Sequence, residues 1–402
     1  MNEKTEYPIG ERRIKKANKG LSLGIGIPMT IVAIIVLPFV IHQKLIGPQE
    51  IVIPPPPTPG DLTEGYEAFA LRSPDWYQVN DAPRFFDNSH EAIFIDGSTA
   101  TVPITVEIIR QQESLAHDFS RYTPQMLEDY DEQINLNVSL NHHFKTHQSY
   151  LHLIDGTCNA PDDHVHTNDQ GFDKAPLRRN NRVSLVFATE PSDEELAYAA
   201  SKGVTLEIDA ICNEAFVFIV NGDNPVDSLT IEQIQDIYQG NITNWSEVGG
   251  EDKEIVPFQR NKNSGSQTAM ENIVMQGKPI LKPVMTERIY TMSYGMGALV
   301  EQIVELPEEF KDTASSIGYT YDYYINNIYS ERNIKVIKIN GIAPNELTVK
   351  DKTYPFGTSY YAVMRADENE HPLSNNIARP LRDFLLTPKG QEYIKLAGYY
   401  PL

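Results

Sequence analysis

Residues 21–41, LSLGIGIPMTIVAIIVLPFVI, run for 21 residues without a charge. A helix rising about 1.5 Å per residue over that length crosses the hydrocarbon core of a bilayer. The flank sets the orientation. Lys4, Arg12, Arg13, Lys15, Lys16 and Lys19 stand against Glu3, Glu6 and Glu11 in residues 1–20, a net +3. The positive-inside rule then puts residues 1–20 in the cytoplasm and the chain after residue 42 outside. Pro28 and Pro38 are tolerated in membrane helices. A cleaved signal peptide is the rival reading. The stretch is longer than a usual signal-peptide core and no A-x-A-like site follows it, so an uncleaved anchor is favoured. No cysteine follows it, which excludes lipid attachment there.

The remainder must be a large soluble domain. The chain has 402 residues, too many for one small module. Its formal charge is −21, so the 382 residues after the basic tail carry −24. That balance excludes a nucleic-acid binder held by phosphate contacts. The only cysteines, Cys158 and Cys212, make no framework and no CxxC, and leave a single disulfide open. Residues 54–57 are four consecutive prolines, which favour a stiff, extended spacer within a linker over 42–84.

From about residue 85 strands and helices alternate. Residues 93–95, 183–188 and 215–220 are apolar runs, the last suited to burial on both faces. Ser192 with Glu195 three residues on is a capping-box signature for a helix over 192–202. The alternation predicts an α/β fold with largely parallel sheets. Residues 157–182 lack apolar periodicity and read as a long polar loop.

Two segments have the composition of anion cradles. Asp96-Gly97-Ser98-Thr99 follows a strand and precedes a helix-compatible run, where free N–H groups and the helix dipole favour an anion. Arg260-Asn261-Lys262-Asn263-Ser264-Gly265-Ser266 adds a guanidinium able to grip an oxyanion bidentately. Glu190 ends a buried strand, where open α/β sheets bind ligands; its alternative role is interaction with the dipole of the helix that follows. His142, His143, His147, His152, His164 and His166 crowd one region, with His143 and His147 four apart, and with Asp162 and Asp163 they are the only candidate zinc ligands; exposed polar positions are the commoner explanation. No G-x-x-x-x-G-K-[ST] and no G-x-S-x-G occurs, so neither phosphoryl transfer nor a serine hydrolase is supported.

Taken together, these segments resemble the phosphate-binding proteins of bacterial phosphate ABC transporters, in the Gram-positive style. The strongest stretches are AFVFIVNGDNPVDSLTIEQIQDIYQGNITNWSEVGG at 215–250 and IVPFQRNKNSGSQTAMENIV at 255–274. FIDGSTATVPI at 94–104, LVFATEPSDEEL at 185–196, SIGYTYDYY at 316–324, YPFGTSYYAVMR at 354–365 and LRDFLLTPKGQEYIKLAGYYPL at 381–402 extend the likeness in order. The resemblance implies a two-lobed periplasmic-binding-protein fold of the Venus-flytrap, type II kind behind an N-terminal transmembrane helix. Residues 85–214 and 358–402 would form lobe one, 215–357 lobe two, and 157–182 an insertion in lobe one. It implies a phosphate site of Ser98, Thr99, Thr146 and Glu190 from lobe one and Arg260, Ser264, Gly265 and Ser266 from lobe two. It implies no enzymatic activity, no cofactor and no bound metal, and ABC transporter permease subunits as partners. A membrane-anchored phosphate sensor or interaction domain is the alternative, and a metal-dependent hydrolase a more distant one.

Overall fold

The computed structural model describes residues 94–114, 143–157, 183–284, 291–366 and 378–402. The chain divides into two units, 1–55 and 56–402, and all the described residues belong to the second. The tail 1–20, the apolar span 21–41, the linker 42–84 and, but for Thr157, the stretch 157–182 lie outside the described residues. Among the described residues no helix is long and apolar enough to cross a membrane.

In chain order the strands are β1 (Phe94–Gly97), β2 (Val183–Ala188), β3 (Leu206–Asn221), β4 (Ser228–Leu229), β5 (Glu254–Pro257), β6 (Gln259–Arg260), β7 (Met292–Ser293), β8 (Ala314–Tyr321), β9 (Ile334–Val336), β10 (Lys338–Ile339) and β11 (Gly357–Arg365). One sheet runs β1-β2-β11-β3-β8-β5, with β9 also pairing β3; β4 with β10 and β6 with β7 form two short ribbons. The strand β3 organises it. Residues 206–215 pair antiparallel with β11, and residues 216–220 pair antiparallel with β8. The change of partner falls between Ala215 and Phe216, so one strand belongs to both lobes of an α/β fold.

The expectation of a largely parallel sheet is therefore corrected. β1–β2 and β5–β8 are parallel, but the centre is antiparallel. The physical reason is connectivity: β3 carries the chain out of the first lobe and β11 brings it back alongside, which forces opposite directions. The run 215–220 is buried throughout, as a strand covered on both faces must be. Phe216, Phe218, Tyr238 and Tyr319 pack around it with ring centroids 5.5–6.0 Å apart. Cys212, on the same strand, is a free buried thiol, and burial pushes its pKa up. Cys158 lies outside the described residues.

Helices α1 (Val102–Ser114), α2 (Thr146–Asp155), α3 (Asp193–Ser201), α4 (Ile231–Gln239) and α5 (Gly265–Ala269) matter most for the site. α3 opens with the capping box expected of it: Ser192 accepts from the Glu195 N–H, and Glu195 accepts from the Ser192 N–H at 2.7 Å. Thr230 and Gln233 build the same device on α4.

A single buried carboxylate ties together the loops that precede α1 and α2. Asp96, 1% exposed, ends β1. Its Oδ1 accepts from the Gly97 N–H at 2.6 Å, the Phe144 N–H at 2.8 Å and the Ser149 hydroxyl at 2.7 Å. Its Oδ2 lies 2.8 Å from His152 Nδ1. Four donors from two distant stretches thus share one side chain. Removing it strips a buried acceptor from the Gly97 and Phe144 N–H groups and from His152, while the Ser149 hydroxyl can still turn to the Gly97 or Lys145 carbonyl, and this is far costlier than losing one exposed bond. Asp96→Ala is expected to destabilise the domain by about 3–5 kcal/mol, read as a lower midpoint in urea unfolding followed by circular dichroism.

Candidate functional site

The first wall of the site is the turn after β1. The Ser98 N–H donates to the Phe187 carbonyl at 2.9 Å, and the Thr101 hydroxyl donates to the same carbonyl at 2.6 Å. This locks the turn against the end of β2. A Cβ on Gly97 would collide with the Phe187 carbonyl oxygen and stand 2.8 Å from His143 Nδ1, so only glycine permits the approach. Ser98 is buried and its Oγ accepts from the Ala100 N–H at 3.2 Å. Thr99 follows, half-buried, in the first helical turn.

The second wall is the loop 143–146. His143 is buried, with Nδ1 2.8 Å from the Ser98 carbonyl and Nε2 2.9 Å from the Thr105 hydroxyl. Thr146 is buried and opens α2. His147 pairs with Glu195 at 2.8 Å, and His152 faces Asp96. These three histidines therefore knit scaffold: His143 precedes the helix, so it does not share a helical face with His147. Among the described residues no group of His, Cys, Asp and Glu is placed to hold a metal ion. His142, His164 and His166, with Asp162 and Asp163, lie outside the described residues.

The third wall is the end of β2. Tyr150 donates to the Thr189 carbonyl at 2.6 Å and holds this bend. Thr189 is buried, and its hydroxyl has no hydrogen-bond partner among the described residues. Glu190 is exposed and accepts from the Tyr361 hydroxyl at 3.0 Å. It does not cap α3, a task that Ser192 and Glu195 perform.

The second lobe supplies the fourth wall. Arg260 is 6% exposed. Its backbone N–H donates to the Tyr319 hydroxyl at 3.0 Å, its Nε to the Ser293 carbonyl at 3.1 Å and its Nη1 to Ser266 Oγ at 3.3 Å. No carboxylate pairs with it and its Nη2 makes no hydrogen bond among the described residues. Burial pulls the guanidinium pKa down, but arginine stays charged, so a positive charge is stored in a dry place. Ser264 Oγ accepts from the Gln267 N–H at 3.3 Å and starts α5.

The walls meet at Gly265. A Cβ there would collide with Thr189 Oγ1 and stand 3.0 Å from Thr146 Oγ1. The structure thus brings together Thr146, Gly265 and Thr189, and separately Arg260 and Ser266. Ser98 and Thr99 sit on the turn after β1, and Glu190 is exposed beside Tyr361. Outside the walls, Lys262 pairs with Glu194, and Asn263 Nδ2 donates to Glu194 Oε2 at 2.7 Å, joining the Arg260 loop to α3. Those two bonds hold the Glu194 carboxyl below its usual range.

Sequence reasoning passed over Thr189, although it adjoins Glu190 in a segment singled out for its carboxylate. It also gave Asp96 no role. The signal available for Asp96 was a carboxylate closing an apolar strand just before a glycine.

The chain is similar to the phosphate-binding protein PstS of Borreliella burgdorferi, 23% identical over 186 residues, 46% of this chain and 62% of that protein. PstS of Bacillus subtilis is 22% identical over 184 residues, 46% of this chain and 53% of that one. The matches thus span between about half and three fifths of these curated relatives. A solved structure from Clostridium perfringens, of a candidate phosphate ABC transporter substrate-binding protein with bound phosphate, covers 77% of this chain and 99% of that one at 20% identity and a TM-score of 0.49. Residues 175–389 match the family model of the PBP superfamily domain, which is more than half of the 402 residues, and the chain belongs to that superfamily.

Proposed function

We propose that the chain is a non-enzymatic, extracytoplasmic binding protein for inorganic phosphate or a close oxyanion, serving as the substrate-binding component of a phosphate ABC transporter. The observation that carries this reading is Arg260, a buried guanidinium with no carboxylate beside it among the described residues. A buried cation of this kind calls for an anion, and the Ser266 hydroxyl beside it, with those of Thr146 and Thr189 at the adjoining Gly265, suits a tetrahedral one. PstS relatives are phosphate-binding proteins by name, which supports the choice of ligand. In this reading Ser98, Thr99, Thr146 and Glu190 serve from the first lobe and Arg260, Ser264, Gly265 and Ser266 from the second. Permease subunits of the transporter are the protein partners.

The anchor belongs to the same reading. Residues 1–20 are a cytoplasmic tail, 21–41 a transmembrane helix and 42–84 a spacer that holds the domain clear of a cell membrane. Protease added to intact protoplasts is expected to digest the large domain; its survival until the membrane is breached would refute this topology.

Arg260→Ala removes a desolvated charge-assisted contact while the ligand keeps its charge. The expected loss of phosphate affinity is about 2–5 kcal/mol by calorimetric titration. A variant that binds like the wild type would take this loop out of the site.

Glu190 sets selectivity in this reading. Near neutral pH phosphate retains a proton that a carboxylate can accept, whereas sulfate offers only lone pairs and negative charge. Competitive titration of Glu190→Gln is expected to show weaker phosphate binding and a lowered barrier to sulfate. Unchanged selectivity would leave Glu190 only its bond to Tyr361.

A further inference from the structure

We propose that the hydroxyl of Tyr321 is a direct ligand to the bound anion, closing from beneath a cradle whose other walls are Arg260, Thr189 and Gly265. The proposal rests on the anion-binding reading above and adds a residue to it. Tyr319 and Tyr321 lie two apart on β8 and so project from the same face of the sheet, toward the Arg260 loop. The Tyr319 hydroxyl is fully used: it accepts from the Arg260 N–H at 3.0 Å and donates to Gln267 Oε1. The Tyr321 hydroxyl is not. It is buried on a residue only 1% exposed and has no partner among the described residues.

Its surroundings say what it is for. Burial pushes the phenol up and the Glu214 carboxyl adds to that, while the Thr189 hydroxyl, close enough to interact with it, and the Arg260 charge act in the opposite direction. Thr189 Oγ1, likewise buried and unpartnered, is the atom a Cβ on Gly265 would strike. Among the described residues, two neighbouring hydroxyls without a well-formed hydrogen bond therefore lie beside a guanidinium that no carboxylate pairs with, at the point where the lobes touch. A buried hydroxyl without a partner is costly, and native proteins keep one mainly where a further group completes it. Each hydroxyl can turn its proton outward, and an oxyanion presents several acceptor oxygens at once. A cation with two such donors selects a tetrahedral oxyanion over a neutral ligand of the same size.

Tyr321→Phe tests this, because phenylalanine fills the same space. In calorimetric titration of the full-length protein with inorganic phosphate, the variant is expected to bind about ten to a hundredfold more weakly. Thermal unfolding without phosphate is expected to be unchanged or raised, since the variant loses only an unsatisfied group. A purely structural role would instead lower that unfolding temperature. An unchanged dissociation constant would overturn the proposal, as would a weaker one accompanied by a less stable phosphate-free protein. Thr189→Val is expected to lose affinity too; if it does and Tyr321→Phe does not, Thr189 is a ligand and Tyr321 is not. Wild-type protein that takes up no phosphate would defeat the anion reading and this proposal together. Binding that Arg260→Ala abolishes and Tyr321→Phe leaves intact would defeat this proposal alone.

Discussion

A buried guanidinium that no carboxylate among the described residues pairs with is the constraint around which the rest of this domain is arranged. Removing a charge from water is expensive, and proteins ordinarily answer with a carboxylate. Arg260 is answered by neutral groups: the Ser293 carbonyl, the Ser266 hydroxyl, and a backbone pinned by Tyr319. These orient the side chain without neutralising it. The charge is held in place and left for something else to balance. The chain's overall charge of −21 sharpens the point, because long-range attraction of anions is absent and any affinity must come from local donors.

The two lobes solve different problems. In the first, Asp96 gathers four donors, so the turn at Ser98 and the start of α2 are fixed to each other whatever else happens. His143 adds a second tie between the same two segments through the Ser98 carbonyl and Thr105. That wall is rigid by construction. The second lobe brings its loop to that wall through Gly265, where any side chain would keep the surfaces apart. Strand β3 links the two, since its first part pairs with β11 and its second with β8.

Much of this was legible in the sequence, for identifiable reasons. The run 215–220 announced a strand buried on both faces because every residue in it is apolar, and Ser192 with Glu195 announced a helix start because capping boxes are local. Local physics is what a sequence displays directly. The antiparallel centre of the sheet was hidden, since alternation of strands and helices carries no record of which strands become neighbours. Asp96 was hidden because its partners Phe144, Ser149 and His152 lie about fifty residues away. The histidine cluster shows the same limit: its spacing allowed zinc ligands as the lesser reading, while His143, His147 and His152 each serve a different polar partner. Thr189 and Tyr321 are invisible for a further reason. What marks them is a missing bond, and no pattern of residue types encodes that.

The contacts between the lobes argue about what can hold them closed. Lys262, Asn263 and Glu194 bridge the first and second lobes, but Lys262 and Glu194 are more than half exposed, so salt and water screen that link and it contributes little. The contact at Gly265 is small and sets how near the surfaces come more than how firmly they stay. Among the described residues the hydroxyls of Thr189 and Tyr321 have no hydrogen-bond partner, and no carboxylate pairs with Arg260. In the proposed function, lobes that close over these groups leave their demands to be met by whatever lies between the lobes. A domain that bound its anion in the way proposed would couple its shape to its ligand without a dedicated switch, because the groups proposed to bind the anion would also make closure unfavourable without it.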